Sequence, residues 1–159
     1  MHLTSYKRFS NIRFIKCSLK EKLLLISSFL LLGIVRFLIL IIPFKYITLL
    51  IGEKMADSPS TMDQKKYRKA LKIGRAVSLV SRYTPWESKC LVQAVTALFY
   101  LRIFGIPYTL YLGLDKGETN QLLAHAWLRC GELIITGNDE KDRFKVVAQF
   151  AKVSSSQIS

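Results

Sequence analysis

The strongest pattern in the chain is an apolar run over residues 23–44. It contains 22 residues with one charged side chain, Arg36, and one proline, Pro43. A helix crosses a bilayer with about 20 apolar residues, so the run is long enough to span one. The same pattern also fits a buried or interfacial pair of helices, in which Pro43 separates a first helix from a short second one over residues 46–51. The pattern leaves both interpretations open.

Charges in and around the run do not choose between the two interpretations. An arginine at the centre of a span opposes insertion by roughly 3 kcal/mol, and the many Leu and Ile side chains around Arg36 can outweigh that cost. Lys20 and Lys22 flank one end of the run and Lys45 flanks the other. The positive-inside rule therefore predicts no orientation.

An amphipathic helix is predicted after a polar joint. Residues 52–63 combine polar side chains with Gly, Ser and Pro, which predicts a linker. From 63 to about 83, apolar residues recur at helical spacing. The other positions in the first half of this segment are basic: Lys65, Lys66, Arg68, Lys69, Lys72 and Arg75. We expect a helix with a basic outer face.

A second helix, buried on most sides, is predicted to begin at Thr84 and Pro85 and to run to residue 104. Thr84, Pro85 and Glu87 have the order of an N-cap, a first helical residue and a capping partner, and Ser88 is a competing cap. The residues from 90 to 104 are apolar on nearly every face, which is typical of a buried helix. Gly105 is a natural end for it.

Beyond Pro107 the pattern changes from helical to extended. Three segments are rich in aromatic and branched residues and predict strands: 108–114, 122–129 and 133–136. The last two are joined by a predicted turn at Cys130 and Gly131. Residues 143–153 are predicted as a short closing helix, and residues 154–159 as a frayed tail. We find no internal repeat.

Charge is distributed unevenly along the chain. The 159 residues have a formal net charge of +13 at pH 7, and 12 of these charges lie in the first 90 residues. Basic surfaces attract phosphate, anionic lipid or acidic polypeptide. The sequence has no zinc-finger spacing, no aromatic RNA-binding strand and no Gly-rich phosphate loop, so we expect no nucleic-acid partner.

The number of cysteines and the composition of the N-terminus indicate the cellular compartment of the protein. Three cysteines, an odd number, argue against a disulfide framework. The first 22 residues are polar and basic, and no small-residue cleavage site follows the apolar run, so we expect no cleavable signal. These features predict a cytoplasmic protein, with membrane association through residues 23–44 left open.

The candidate chemistry is a cysteine–histidine pair. Cys90 lies near the start of the buried helix, where unpaired N–H groups favour a thiolate and can bind an oxyanion. His125 lies on the second strand, and the only other histidine is His2. Attack by a thiol on a carbonyl needs a base such as this histidine. From the residues alone, a small core cysteine and a structural histidine remain the simpler alternative.

A resemblance strengthens the catalytic interpretation. The chain contains, in order, C-L-V-Q-A, L-R-I-F-G-I-P, Y-L-G-L and A-H-A-W-L-R-C-G. This series resembles the transglutaminase-like cysteine peptidases that process lasso-peptide precursors. The likeness also includes the Leu-rich stretch ending in I-P-F and the final F-K-V-V-A-Q-F, and it runs from about Glu21 to Phe150.

The resemblance implies a specific activity. Such proteins remove the leader from a ribosomally made precursor peptide, and a separate ATP-dependent, asparagine-synthetase-like cyclase then joins the freed amine to an acidic side chain. Cys90 matches the family nucleophile and His125 the general base, and no cofactor is required. Some relatives carry a fused leader-binding module. The first 60 residues leave no room for it, so we expect the stand-alone protease half and a separate small leader-binding protein.

The third catalytic residue is open. The family has an acid on the strand after the histidine. If Cys130 and Gly131 form the turn, His125 faces Thr136, Asn138 lies on the His125 side of the strand, and Asp139 points away. Asn138 then lies on the correct side of the strand to contact His125, whereas the carboxylate of Asp139 is better suited to stabilise an imidazolium. The alternative for both residues is an ordinary polar loop.

Three further residues are candidates for substrate binding. Trp127 lies on the same strand face as His125, Trp86 precedes the buried helix, and Gln93 is one turn from Cys90. Each also has a purely structural interpretation, as a packing wall, a staple of the helix start or a neutral helix residue. We expect no metal site, because Cys17, Cys90, His125 and Cys130 lack paired ligand spacing.

The sequence thus predicts an α+β protein with a transglutaminase-like, papain-related core, in which a buried Cys-bearing helix packs on a small antiparallel sheet. An apolar helical region over residues 1–56 precedes this domain, which covers 57–153. Two alternatives from other functional classes stay open. One is a non-catalytic peptide-binding protein of the same fold, and the other is a small membrane protein whose C-terminal segment is a scaffold.

Overall fold

A computed structural model describes residues 18–117, 121–139 and 141–152. These residues form four α-helices: α1 (Leu19–Ile41), α2 (Phe44–Ile51), α3 (Gln64–Val80) and α4 (Cys90–Ile103). They also form five strands: β1 (Glu53–Lys54), β2 (Tyr108–Lys116), β3 (Leu122–Cys130), β4 (Leu133–Thr136) and β5 (Lys145–Lys152). The predicted tail and Cys17 lie outside the described residues.

The apolar run forms two helices separated at Pro43. α1 begins at a capping box, in which Ser18 and Glu21 each accept a hydrogen bond from the other's backbone N–H. It ends at Ile41, and α2 begins after Pro43. The side chains of Ser28, Leu32 and Val35 are buried where α1 packs against α3 and α4. The predicted pair of helices is therefore confirmed.

α3 confirms the predicted amphipathic helix. Its buried residues, Ala70, Ile73, Gly74, Ala76 and Val77, form one face. A Cβ atom added to Gly74 would lie 2.4 Å from the carbonyl oxygen of Ile135 in β4. Glycine therefore allows α3 to approach the sheet closely.

The predicted start of α4 is wrong. The helix begins at Cys90, with Lys89 as its N-cap, and residues 84–88 form an irregular turn. The Thr84 hydroxyl lies 3.0 Å from the Ser81 carbonyl oxygen and 3.1 Å from that of Trp86. An N-cap side chain accepts a hydrogen bond from a backbone N–H, whereas the Thr84 hydroxyl donates to a backbone carbonyl and stabilises a turn. Cys90 consequently occupies the first position of α4.

The sheet has the strand order β1-β5-β2-β3-β4, and every neighbouring pair is antiparallel. The predicted closing helix over 143–153 is wrong, because this segment forms β5 after a short 3-10 turn. β5 lies between β1 and β2, where Phe150 and Ala151 are buried. Residues 52–63 also differ from the predicted linker, because Glu53 and Lys54 pair with β5.

The predicted register of the β3–β4 hairpin is wrong as well. Cys130 pairs with Leu133, so the turn residues are Gly131 and Glu132. Thr136 pairs with Leu128 and not with His125, and the register shifts at Leu128 and Arg129. An irregularity of this kind adds a residue to one strand and moves every later side chain, which the sequence pattern does not reveal.

A polar cluster attaches the segment after β1 to the sheet. The Asp57 carboxylate accepts hydrogen bonds from the hydroxyls of Thr109 at 2.9 Å and Tyr111 at 3.1 Å, and it also pairs with Arg129. Burial opposes ionisation, but the hydrogen bonds from Thr109 and Arg129 and the Arg129 charge outweigh it and hold the pKa of Asp57 below its usual range. Ser58, which is buried, shares a 2.8 Å hydrogen bond with Thr109.

The core combines helices and sheet across the whole described chain. Leu32 and Val35 of α1 belong to the same buried cluster as Leu98 of α4 and Leu110 of β2. This is the predicted α+β architecture, with an antiparallel sheet and an apolar N-terminal helix. The expected division of the chain at residue 57 stays a prediction.

Candidate active site

Cys90 is placed at the first position of α4, and it is partly exposed. The first N–H groups of a helix have no partner within the helix, and they carry the positive end of its dipole. Cys90 therefore lies at the end of α4 that carries these donors. The same donors can receive the negative oxygen of a tetrahedral intermediate.

His125 lies on β3, with its ring held by a backbone carbonyl. Its Nε2 atom is 2.9 Å from the carbonyl oxygen of Gly137, which follows β4. A carbonyl only accepts, so Nε2 carries the proton in this arrangement. The other ring nitrogen, Nδ1, is then an acceptor that can take a proton from a thiol.

Aromatic rings fix the orientation of His125. Trp127 stacks on it with ring centroids 5.8 Å apart, and the Phe144 ring lies 5.0 Å away. Gly113, which pairs with His125 across β2 and β3, makes room for both rings. A Cβ atom at Gly113 would lie 2.7 Å from Phe144 and 2.8 Å from Trp127.

Cys90 and His125 line the same cavity, which has a volume of about 260 Å³. Its other walls are apolar or backbone: Phe44, Leu91, Leu112, Gly113, Leu114, Ala124, Ala126 and Val147. The cavity therefore brings a thiol and an imidazole together in a largely apolar cleft. Thiol attack on a carbonyl with a histidine as base requires both groups in one cleft.

Gly137 and Gly113 are site residues that sequence reasoning missed. Gly137 has a φ angle of +71°, and a Cβ atom there would lie 2.3 Å from the carbonyl oxygen of Ala126. Only glycine fits this turn, which directs the Gly137 carbonyl to His125. An isolated glycine inside a strand pattern, as in Y-L-G-L, was the available signal for Gly113.

Asn138 and Asp139 lie beyond the end of β4 and are exposed. Among the described residues, neither side chain makes a hydrogen bond to His125, and the atom that holds Nε2 is the Gly137 carbonyl oxygen. The register that favoured Asn138 is not the one observed. The assignment of either residue as the third catalytic group stays a prediction.

Of the three candidates for substrate binding, Trp127 stacks on His125, and none of the three lines the cavity that contains Cys90 and His125. Trp86 packs on α1, where its ring lies 5.0 Å from that of Phe29 and against Gly33. The side-chain amide of Gln93 donates to the carbonyl of Ser88 at 2.8 Å. Trp86 and Gln93 therefore support the α1–α4 packing and the start of α4.

The second described cysteine is in a different environment. Cys130 is fully buried at the end of β3, and burial raises the pKa of its thiol to about 12, against the smaller opposing effect of Arg129. It is protonated at neutral pH and lies outside the cleft. Within 18–117, 121–139 and 141–152, no three His, Cys, Asp or Glu side chains cluster as a metal site.

Comparison with known families places this fold and cleft in one class. The family model of the transglutaminase-like superfamily matches residues 35–149, a segment that contains both Cys90 and His125. The chain therefore belongs to the transglutaminase-like superfamily. This fold is commonly that of cysteine-protease-type enzymes. No curated protein and no solved structure matches the chain.

Proposed function

We propose that the chain is a cysteine peptidase that removes the leader from a lasso-peptide precursor. The observation that carries the proposal is the cleft in which Cys90, at the first position of α4, and His125 line one cavity. The superfamily match supports a cysteine peptidase-like role. The resemblance of the C-L-V-Q-A, G-I-P and A-H-A-W strings supports the more specific substrate class.

The proposed reaction follows from the positions of these groups. His125 Nδ1 takes the proton from the Cys90 thiol, and the sulfur attacks the scissile carbonyl carbon. The N–H groups at the start of α4 stabilise the oxyanion. The peptide C–N bond then breaks, and His125 gives its proton to the leaving amine of the core peptide. Water hydrolyses the thioester, which releases the leader with a new carboxyl end and regenerates the thiol.

Partners and location belong to the same proposal. A small leader-binding protein presents the precursor, and an ATP-dependent cyclase uses the amine that the cleavage frees. Both work in the cytoplasm, where the cysteines stay reduced. The basic outer face of α3 is available for an acidic partner or leader segment: Lys65, Arg68, Lys69, Lys72 and Arg75 are exposed.

The test is a cleavage assay with a matched cysteine control. Purified full-length chain is incubated with precursor peptide and leader-binding protein, and mass spectrometry detects the free core peptide. Cys90→Ala removes the nucleophile and should abolish cleavage, whereas Cys130→Ala should retain it, because Cys130 is buried outside the cleft. Cleavage by Cys90→Ala at the wild-type rate would show that the catalytic assignment is wrong.

One observation favours a second candidate, a non-catalytic peptide-binding protein. A neutral backbone carbonyl, and not a carboxylate, holds His125 Nε2. A carbonyl orients the ring but stabilises the imidazolium less than an anion does. In this case neither the wild-type chain nor Cys90→Ala cleaves the precursor in the same assay, and both bind it equally in a pull-down.

A further inference from the structure

The outward face of α1 is entirely apolar. Its residues recur every three or four positions, and each is 54% to 72% exposed: Leu19, Leu23, Ile26, Leu30, Ile34, Phe37 and Ile41. We call these seven residues the apolar stripe. At about 1.5 Å per residue the stripe is roughly 33 Å long. α2 also has exposed apolar side chains, among them Leu49 and Leu50.

The opposite face of α1 is fixed to the rest of the protein. Ser28, Leu32 and Val35 are buried against α3 and α4. The Tyr100 hydroxyl of α4 donates to the Ser27 hydroxyl at 2.7 Å. Packing along one face keeps α1 beside the folded domain, which favours a position at the membrane surface over a span.

Arg36 has a specific partner outside α1. Its guanidinium lies 2.9 Å from the Glu87 carboxylate, in the turn before α4. The single charge within the apolar run is therefore bound to the domain and lies off the stripe. This ion pair holds α1 with its apolar face outward.

Basic side chains border the stripe at both ends. Lys20 and Lys22 are exposed at its start, and Lys45 is exposed just beyond its end. Glu21, the acidic residue of α1, lies 3.9 Å from Lys72 of α3, which balances its negative charge beside the stripe. Cations at the border of an apolar helix face complement anionic lipid headgroups.

We propose that the apolar stripe lies parallel to an anionic membrane surface, inserted among the headgroups, and does not cross the bilayer. A protein interface needs a polar rim and about one hydrogen bond per 100–200 Å². The stripe has no hydrogen-bonding side chain along its length, whereas acyl chains require none. The proposal does not depend on the peptidase activity, because it concerns a surface other than the cleft.

Docking in this way would place the candidate active site beside the membrane. Phe44 follows Pro43 at the end of the stripe, is 37% exposed and forms one wall of the cavity that contains Cys90 and His125. The stripe and the cleft are thus joined through one side chain. A peptide held near the headgroups would reach the cleft without leaving the surface.

Vesicle flotation tests the proposal with the full-length chain. The vesicles are phosphatidylcholine alone or phosphatidylcholine with phosphatidylglycerol. We expect the wild type to float with the anionic vesicles, and the double variant Leu30→Glu, Phe37→Glu to lose roughly tenfold or more in affinity. Leu122→Glu, Met55→Glu is the matched control, since Leu122 at the start of β3 and Met55 in the turn after β1 are 66% and 67% exposed. It should float like the wild type.

A second variant separates charge from apolar contact. Lys20→Glu, Lys22→Glu should reduce binding to the anionic vesicles severalfold and leave the weaker binding to phosphatidylcholine unchanged. This measurement keeps the test decisive if the stripe variant fails to fold.

Three outcomes would overturn the proposal. The first is wild-type chain that binds neither type of vesicle. The second is a dimer of the wild-type chain in detergent-free buffer that the double variant Leu30→Glu, Phe37→Glu dissociates. This result would show that the stripe is an interface between two copies of the chain. The third is a chain that requires detergent for solubility and resists carbonate extraction from membranes, which would show a span.

Discussion

At the scale of single residues, the orientation of His125 depends on two glycines. Gly137 brings its carbonyl oxygen to within 2.9 Å of Nε2 through a turn with a positive φ angle. Gly113 leaves space for Trp127 and Phe144 beside the imidazole. The His125 imidazole is therefore positioned by backbone and by packing, with no hydrogen bond to a carboxylate among the described residues.

Gly137→Ala should impair both stability and catalysis. A left-handed backbone costs a non-glycine residue about 1–2 kcal/mol, and the new Cβ atom would also lie 2.3 Å from the Ala126 carbonyl oxygen. The turn must shift, which moves the acceptor away from His125. We expect a lower free energy of unfolding and a kcat reduced roughly ten- to hundredfold. Denaturant unfolding and the cleavage assay measure the two effects.

Gly105→Ala is the control for backbone strain alone. Gly105 has a φ angle of +59°, and its added Cβ atom would meet no atom within 4 Å. The Gly105→Ala variant should have a free energy of unfolding that is lower by the cost of the left-handed backbone alone, about 1–2 kcal/mol, and it should keep the wild-type kcat. If both variants lose equal stability and keep full activity, Gly137 has no positioning role.

At the scale of elements, α1 has two apolar faces, of which one is buried against the domain and the other is exposed. Leu32 is fully buried against the domain, and Leu30, two residues away, is 60% exposed. Hydropathy alone makes α1 the one described helix that is long and apolar enough to cross a membrane. Packing against α3 and α4 assigns one face to the core and leaves only the other for a membrane or partner.

Leu32→Ala and Leu30→Ala should differ strongly in stability. Removing a buried leucine side chain costs about 2–5 kcal/mol, so Leu32→Ala should reduce the free energy of unfolding by this amount. Leu30→Ala removes an exposed side chain and should change it by no more than about 0.5 kcal/mol. Urea unfolding in detergent-free buffer is the measurement. Equal values for the two variants would mean that α1 does not pack on the domain in solution.

At the scale of the whole molecule, the cleft combines distant parts of the chain. Phe44 comes from the start of α2, Cys90 from α4, His125 from β3 and Val147 from β5. The apolar N-terminal region therefore contributes a wall of the candidate active site. Under the proposed peptidase function, we expect this apolar wall to contact the substrate near the scissile bond.

Phe44→Ala should lower kcat/KM for precursor cleavage by roughly tenfold, because an apolar contact of about 1–2 kcal/mol is lost. Leu49→Ala is the control on the same helix: Leu49 is 79% exposed and lies outside the cleft. It should leave kcat/KM unchanged. Steady-state cleavage of one precursor by both variants provides the comparison, and equal kcat/KM values would remove Phe44 from the substrate-binding surface.

Much of the architecture was predictable from local patterns. Helical periodicity predicted α3, and segments rich in aromatic and branched residues predicted β2 to β4. The break at Pro43 made the α1–α2 pair one of the two interpretations of the apolar run. The predictions of secondary structure and register were wrong where contacts between distant parts of the chain determine the structure. Residues 145–152 form a strand because β1 and β2 pair on either side of them. The sequence of this segment alone does not show that these pairing strands are present.

For the site, the sequence by itself determined the reacting groups. The superfamily strings and the near absence of other histidines identified Cys90 and His125 as the candidate pair, and their catalytic roles stay predictions. Only the tertiary structure decided what surrounds them. The hairpin register, the Gly137 carbonyl and the wall contributed by Phe44 all join residues far apart in the chain. Residue type is encoded locally, whereas proximity across a folded core depends on the packing of the entire chain.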